Sequence, residues 1–383
     1  MIIGYDGKRA FQNKTGLGNY SRSLINILNT FYPQNKYILF APKQTDLFKT
    51  TAFKNVNTVL PTNTFYKKFT ALWRRFAIVK AITKSGVNIY HGLSNELPLG
   101  IENTPVKTVV TVHDLIFERY PATYNFEERF VHRWKIKKAC KIADAVIAIS
   151  NQTKEDLINF YGVDEKKIWL CYQSCNPIFE KKLSVFEKEI VKKRYQLPDK
   201  YFLFVSSIAP RKNLITICKA MILLKDKMNI PLVIIGDGKK EKAAVKHLLK
   251  ENKITDRFIF LNETAISKEP SFITAADFPA IYQQAIALIY PSFFEGFGLP
   301  ILEALWSGLP VICSNISSMP EVAENAALYF SPTDFTALSE HMTNITTNTK
   351  LADELIASGY VQAQKFAPEK YAESIIHVYK SIL

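Results

Sequence analysis

Short runs of β-branched and aromatic residues recur along the chain, and most are followed by a stretch in which apolar residues return every three or four positions. That rhythm predicts strands alternating with helices, the signature of parallel α/β layers. In the first half the runs predict strands over 1–5, 37–40, 88–90, 107–112 and 145–149. In the second half they predict strands over 201–207, 232–235, 258–261, 287–290 and 311–313. Helical periodicity falls on 20–28, 127–143, 153–161, 214–225 and 278–285. The segment CYQSCNPIFEKKLS, 171–184, carries an Asn-Pro step and no period, so it marks the join between two domains. A final amphipathic stretch, 368–383, predicts a helix able to pack on either.

The length of 383 residues suits two cores rather than one. The longest apolar runs have strand length, well short of the roughly 18–20 residues that span a bilayer. The opening MIIGYDGKRAF lacks the charged-then-apolar order of a signal peptide. Five cysteines, Cys140, Cys171, Cys175, Cys218 and Cys313, are odd in number, and no second Cys or His pair completes a zinc site beside Cys171 and Cys175. A reduced cytoplasmic protein is therefore expected. The net charge of +14 is uneven. Residues 1–175 hold 25 Lys and Arg against 13 Asp and Glu, while 176–383 hold 24 against 22. An excess confined to the first half points to an anionic partner there: nucleic acid, an anionic membrane surface or a phosphorylated substrate.

Several stretches carry candidate chemistry. In ALIYPSFFEGFGLPILEALWSGLPVICS, 287–314, a strand ends at Pro291, a loop with two glycines follows, and Pro300 suits the first turn of a helix stopped at Gly308. The free N–H groups of that helix start, with those of 296–299, form a site for an anion such as a diphosphate. Glu295 and Glu303 bracket the loop. Carboxylates beside an anion fit a ligand that also offers hydroxyls, as a sugar nucleotide does; a helix-initiating loop with acidic residues fits the spacing equally. In FLFVSSIAPRKNLITICKAM, 202–221, Arg211 and Lys212 follow a buried strand, where ligands of parallel sheets bind, and Asn213 suits a helix N-cap. KTGLGNYSRSL, 14–24, is a Gly-Leu-Gly turn opening a helix, but Ser21 stands where a dinucleotide fingerprint has its third glycine. In TVVTVHDLIFERYP, 108–121, His113 and Asp114 follow a strand. His91 stands alike in IYHGLSNELP, and an isolated histidine is more often structural. In 64–83, Phe65, Phe69, Leu72, Phe76 and Val79 form one helical stripe, with Lys67 and Arg74 opposite. That pattern suits either a membrane interface or an ordinary helix burying its stripe in the core.

Taken together, TGLGNYSRSL, VTVHDLIFERYP, APRKN, YPSFFEGFGLPILEALWSGLPVICSN and SSMPEV resemble retaining glycosyltransferase family 4 of the GT-B fold, in particular mannosyltransferase-like group 1 members. The match runs in order along nearly the whole chain. The resemblance implies two Rossmann-like α/β domains with parallel sheets facing across a cleft: an acceptor domain over 1–173, a nucleotide-sugar domain over 174–367, and a helix over 368–383 that crosses back. It implies that Arg211 and Lys212 hold the donor diphosphate, Glu303 the ribose, and Glu295 the transferred sugar, with the backbone of Phe297, Gly298 and Leu299 nearby. Gly16 and Gly18 would border the cleft, and His113 would contact the sugar. The implied reaction moves a hexose, mannose from GDP-mannose first, to a glycan or polyprenyl-phosphate-linked acceptor in surface polysaccharide synthesis. It involves no metal or other cofactor and no nucleic acid. The implied place is the cytoplasm, peripheral on the inner face of the plasma membrane through 64–83. A UDP-sugar donor, a sugar-nucleotide epimerase of similar fold, and a non-catalytic protein binding anionic surfaces stay open. FLNETAISKEPSFITAADFPA, after Phe260, is longer than the family's usual connection, which leaves the base preference undecided.

Overall fold

A computed structural model describes residues 1–383. The chain divides into two compact units, Met1–Ser174 with Ala367–Leu383, and Cys175–Phe366. No helix is long and apolar enough to cross a membrane.

The first unit holds a seven-stranded sheet of β1 (Ile2–Asp6), β2 (Lys36–Phe40), β3 (Val56–Val59), β4 (Ile89–Gly92), β5 (Lys107–Val112), β6 (Ala145–Ala148) and β7 (Ile168–Leu170). Their order is β3-β2-β1-β4-β5-β6-β7 and every pairing is parallel, as in Ile3 beside Ile89. Strands buried on both faces need apolar side chains at successive positions, and β4 and β6 are buried throughout. The second unit repeats the plan with β8 (Phe202–Val205), β9 (Leu232–Ile235), β10 (Phe258–Phe260), β11 (Ala287–Tyr290), β12 (Val311–Ser314) and β13 (Ala327–Phe330). Its order is β10-β9-β8-β11-β12-β13, again all parallel. In each sheet the order reverses direction once, between β1 and β4 and between β8 and β11. The crevice beyond the carboxyl ends of such a pair is where α/β sheets take ligands.

β3, β7 and β13 are absent from the sequence reading, and all three are edge strands. Each is only partly buried, so its residues do not form an apolar run. The Gly-Leu-Gly element opens a helix, as its first turn, in α1 (Gly16–Phe31). Gly18 is required there, because a Cβ would sit 1.9 Å from the Asn13 carbonyl oxygen, whereas Gly16 faces open space. The 64–83 stripe does not enter the core: Phe65, Phe69, Leu72 and Phe76 are exposed, and Trp73, Ile78 and Ile82 are buried instead. Phe69 interrupts the helix, and a π-turn at Trp73–Ala77 turns the next segment.

The last helix, α5 in the count that follows α2 (Phe126–Ile142), α3 (Leu214–Leu223) and α4 (Leu299–Trp306), spans Pro368–Ser381 and belongs to the first unit. It packs on α1 and buries Tyr371 and Tyr379. The Tyr379 hydroxyl lies 2.7 Å from His91 Nδ1 and donates to the Tyr5 hydroxyl at 3.2 Å. His91 Nε2 meets Thr111 Oγ1 at 2.8 Å, and Thr111 Oγ1 meets the Tyr20 hydroxyl at 3.0 Å. This buried chain ties α1, β1, β4, β5 and α5 together, which makes His91 a satisfied structural group. Burial, with His113 nearby, lowers its pKa from 6.5 to about 3, so it is neutral in the fold. On acidification the unfolded chain takes the proton first, so this stabilisation is full above pH 6.5 and is lost as pH falls toward 3. Between pH 7 and pH 4.5 the loss should be about 2–3 kcal/mol. Denaturant midpoints at the two pH values should show that dependence in the wild type and a flatter one in His91→Gln.

Candidate functional site

Arg211 and Lys212 lie in a short 3-10 turn, Pro210–Lys212, just beyond β8, and Glu295 lies five residues beyond β11. The three therefore meet at the point where the second sheet's order reverses. Lys212 Nζ is 2.5 Å from Glu295 Oε1, and Arg211 Nη1 is 3.3 Å from Glu295 Oε2. Arg211 also donates to the Phe294 carbonyl at 2.7 Å, and Lys212 lies over the Tyr290 ring. Burial pushes the Glu295 pKa up, but the two cations outweigh it and hold the carboxyl below its ordinary value. The cluster keeps a net charge of +1, with Arg211 the more exposed cation.

Asn213 stands at the N-cap of α3 as expected, but its side chain makes no capping hydrogen bond. Its φ of 57° is left-handed, and its side-chain amide donates to the carbonyls of Pro291 at 3.0 Å and Pro332 at 2.6 Å. It thereby pins the start of α3 to the loop after β11 and to the turn after β13. A left-handed Asn at this place is tolerable because a short polar side chain can compensate locally.

The glycine loop is as firmly held. Gly298, at φ 116°, precedes α4, and Pro300 occupies its first turn. An L side chain rarely adopts that φ, so the loop needs glycine there. Ser318 donates to the carbonyls of Glu295 at 3.0 Å and Phe297 at 2.7 Å, and Ser317 bonds Glu295 at both N and O. The carbonyls are drawn toward these serines, while the N–H groups of Gly298 and Leu299 meet no protein acceptor. Donors left in this way at a helix start favour an anion.

Glu303, on α4, accepts a hydrogen bond from the Tyr282 hydroxyl at 2.8 Å. Burial raises its pKa to about 7, with only that hydrogen bond in opposition. The segment after Phe260 folds into turns at Leu261–Glu263 and Ala265–Lys268 and a helix at Pro270–Ile273. Asn262 Oδ1 accepts from the Gly236 N–H at 2.7 Å, which anchors its start to the end of β9.

The second unit thus brings Arg211, Lys212 and Glu295 into contact, with Phe297, Gly298 and Leu299 on the loop that follows, and holds Glu303 one turn into α4 on Tyr282. The first unit holds Gly16, Gly18 and His113. His113 is buried, Nε2 is 2.8 Å from the Leu93 carbonyl, and the ring stands edge-on to Tyr20 with centroids 4.5 Å apart. Burial lowers its pKa, although the Leu93 hydrogen bond and Asp114 oppose the shift. It is therefore neutral at pH 7, with Nε2–H donated to the Leu93 carbonyl. The supporting residues Tyr282, Tyr290 and Asn213 were not legible as such, because each acts through a neighbour distant in sequence. Ser317 and Ser318 lie in SSMPEV, so the motif pointed to them without their role.

Residues 22–176 match the model described as Glycosyltransferase Family 4, and residues 185–362 that of Glycosyl transferases group 1. The chain is 29% identical over 296 residues to O-antigen chain mannosyltransferase B of Escherichia coli, covering 76% of this chain and 74% of that one. It is 30% identical over 237 residues to O-antigen chain mannosyltransferase RfbU of Salmonella typhimurium, which spans 62% of this chain and 60% of the relative. A solved glycosyltransferase from Rickettsia africae superposes with a TM-score of 0.73 at 19% identity, covering 100% of this chain and 98% of its own.

The raised Glu303 pKa has a measurable cost in stability. The unfolded chain releases this proton near 4.5 and the folded chain near 7, so stability falls as pH rises from 4.5 to 7 and stays level above. Glu303→Gln should therefore stabilise the ligand-free protein at pH 8 by about 1–3 kcal/mol, a melting temperature a few degrees higher. At pH 5 the two proteins should melt nearly together, as paired melting curves would show.

Proposed function

This chain belongs to glycosyltransferase family 4, with the GT-B fold and mannosyltransferase-like relatives, and on that premise we propose that it moves mannose from GDP-mannose to a growing surface glycan with retention of anomeric configuration. The observation that carries the donor reading is the Arg211–Lys212–Glu295 cluster beside the open N–H groups of Gly298 and Leu299, at the reversal point of the second sheet. Two cations and a helix start neutralise a diphosphate, whose growing negative charge is the main electrostatic demand as the glycosyl bond breaks. Glu303 takes the ribose hydroxyls and Glu295 the mannose hydroxyls. Glu295 also fixes both cations in place, so the diphosphate meets a preorganised site.

In the proposed step the bond from the anomeric carbon to the phosphate oxygen breaks as the acceptor oxygen bonds that carbon from the same face. The acceptor proton passes to the departing phosphate oxygen, so the products are the mannosylated glycan and GDP. No protein nucleophile is called for. His113, buried and neutral in the first unit, is assigned no proton-transfer role. The basic first unit and the exposed aromatic stripe of 64–83 support an acceptor held at an anionic membrane surface.

A thermal-shift panel of GDP, UDP, ADP and CDP tests the donor. At 100 times its dissociation constant GDP should stabilise by about 2.7 kcal/mol, and Glu303→Ala should abolish the shift. A response to UDP alone would replace mannose with a UDP-linked sugar, and no response at all would sink the donor site. Incubation with GDP-mannose and acceptor should release GDP and leave an α-mannosyl product; a second nucleotide sugar without GDP would indicate an epimerase.

A further inference from the structure

Glu303 lies one turn into α4, where nothing in its own helix aims the carboxyl. It joins no ion pair, and the 2.8 Å bond from the Tyr282 hydroxyl to Oε2 is its one hydrogen bond. Part of the Glu303 side chain stays accessible, whereas Tyr282 is fully buried. Tyr282 ends the short helix Phe278–Tyr282, and its ring stands edge-on to Phe179 with centroids 5.1 Å apart. Phe179 belongs to the turn Pro177–Glu180, which packs on that helix and on α4. The phenol is therefore fixed by packing, and its hydroxyl holds a carboxyl that would otherwise rotate.

The same bond bears on the charge of Glu303. An ionised carboxyl only accepts hydrogen bonds, whereas a protonated one gives up part of that capacity to an O–H donor. Two neighbouring ribose hydroxyls call for the acceptor. Burial favours the protonated form, and the Tyr282 bond opposes it. Burial and the Glu303 charge push the Tyr282 phenol well above its ordinary pKa, so the hydroxyl keeps its proton and stays a donor. The elements packed around α4 otherwise bring Cys175 and Glu180 beside the turn, Tyr290 on β11, Cys313 on β12, Glu321 in Met319–Ala323 and Tyr360 in Thr349–Ala363. None of these is a cation, and Lys182 is held over the Tyr360 ring. The Lys350–Glu354 pair on Thr349–Ala363 is solvent-exposed.

We propose that Tyr282 is a positioning residue for the donor: its hydroxyl pins Oε2 of Glu303, leaves Oε1 to the ribose hydroxyls, and favours the ionised carboxyl that accepts them. The proposal rests on the donor reading above and adds to it a residue that acts on the donor only through Glu303. It also sets the pH range in which the donor is held. A ligand taken by the ionised carboxyl binds more weakly as pH falls below the Glu303 pKa of about 7. Without the hydroxyl that pKa rises, so the weakening begins at a higher pH.

Calorimetry on the full chain at pH 6.5, 7.5 and 8.5 tests this, with GDP-mannose and no acceptor, or with UDP-glucose if UDP is the nucleotide that stabilises. A diphosphate esterified at both ends does not titrate over this range. Wild-type affinity should fall about fourfold from pH 8.5 to 6.5, as a group of pKa about 7 dictates. Tyr282→Phe keeps the ring on Phe179; it should bind roughly tenfold more weakly at pH 7.5 and fall more steeply, by roughly tenfold or more over the same range. In a Glu303→Gln background, where no carboxyl remains to titrate or to be held, Tyr282→Phe should change neither the affinity nor its pH dependence. An equal loss at all three pH values, or the same loss in the Glu303→Gln background, would overturn the proposal and leave Tyr282 a packing residue. Unchanged affinity in Tyr282→Phe would overturn it too, while wild-type binding kept the donor site. A wild type that binds neither sugar nucleotide would remove the donor reading, and this assignment with it.

Discussion

A parallel sheet covered on both faces leaves its side chains no route to a ligand except past the strand ends, and this constraint organises both units. β4, β6, β11 and β12 are buried from end to end, so a polar side chain on them, such as His91, meets protein partners only. Asp6, Arg211, Lys212 and Glu295 all stand at or just beyond carboxyl ends. The single reversal of strand order in each sheet then opens a crevice at that end, and the charged clusters occupy these crevices.

Each cluster is an ion-paired set in which every carboxylate has a cation, because a buried carboxylate without one would be costly or neutral. The two solutions differ in what they leave over. In the second unit Glu295 takes both Lys212 and Arg211, which keeps two cations close and a positive excess of one beside open backbone donors. In the first, Arg74 and Lys135 satisfy Asp6 and Glu96 completely, and the surplus charge moves outward to Lys8 and Arg75. Glu303 is the exception: it has a tyrosine rather than a cation as partner, and its pKa rises accordingly. Such a group lowers the stability of the fold as pH rises toward neutrality.

The amphipathic segment 64–83 illustrates how periodicity can be right and its orientation undetermined. Phe65, Phe69, Leu72 and Phe76 do share a face, with Arg74 opposite, but the face is outward and the arginine inward. An arginine can be buried when two carboxylates converge on it, and those carboxylates come from β1 and from the loop after β4, which no local pattern links to residue 74. The same limit applies to Asn213: its identity suggested the cap position it holds, while the two carbonyls that take its side-chain amide lie beyond β11 and β13.

From the sequence alone came the alternation of strands and helices, the buried central strands, the glycine-proline start of α4, and the loop residues that carry charge. Those follow from local rules, since a doubly buried strand must be an apolar run and a helix start must solve its own hydrogen bonding. Edge strands β3, β7 and β13 were not legible, because a half-exposed strand needs no distinctive run. What only the tertiary structure decided was which charged residues meet. Arg74 with Asp6 and Glu96, Lys212 with Glu295, and His91 with Tyr379 are separated by between 22 and 288 residues. Their pairing depends on strand order, which hydrogen bonding between backbones sets without leaving a mark on any one segment.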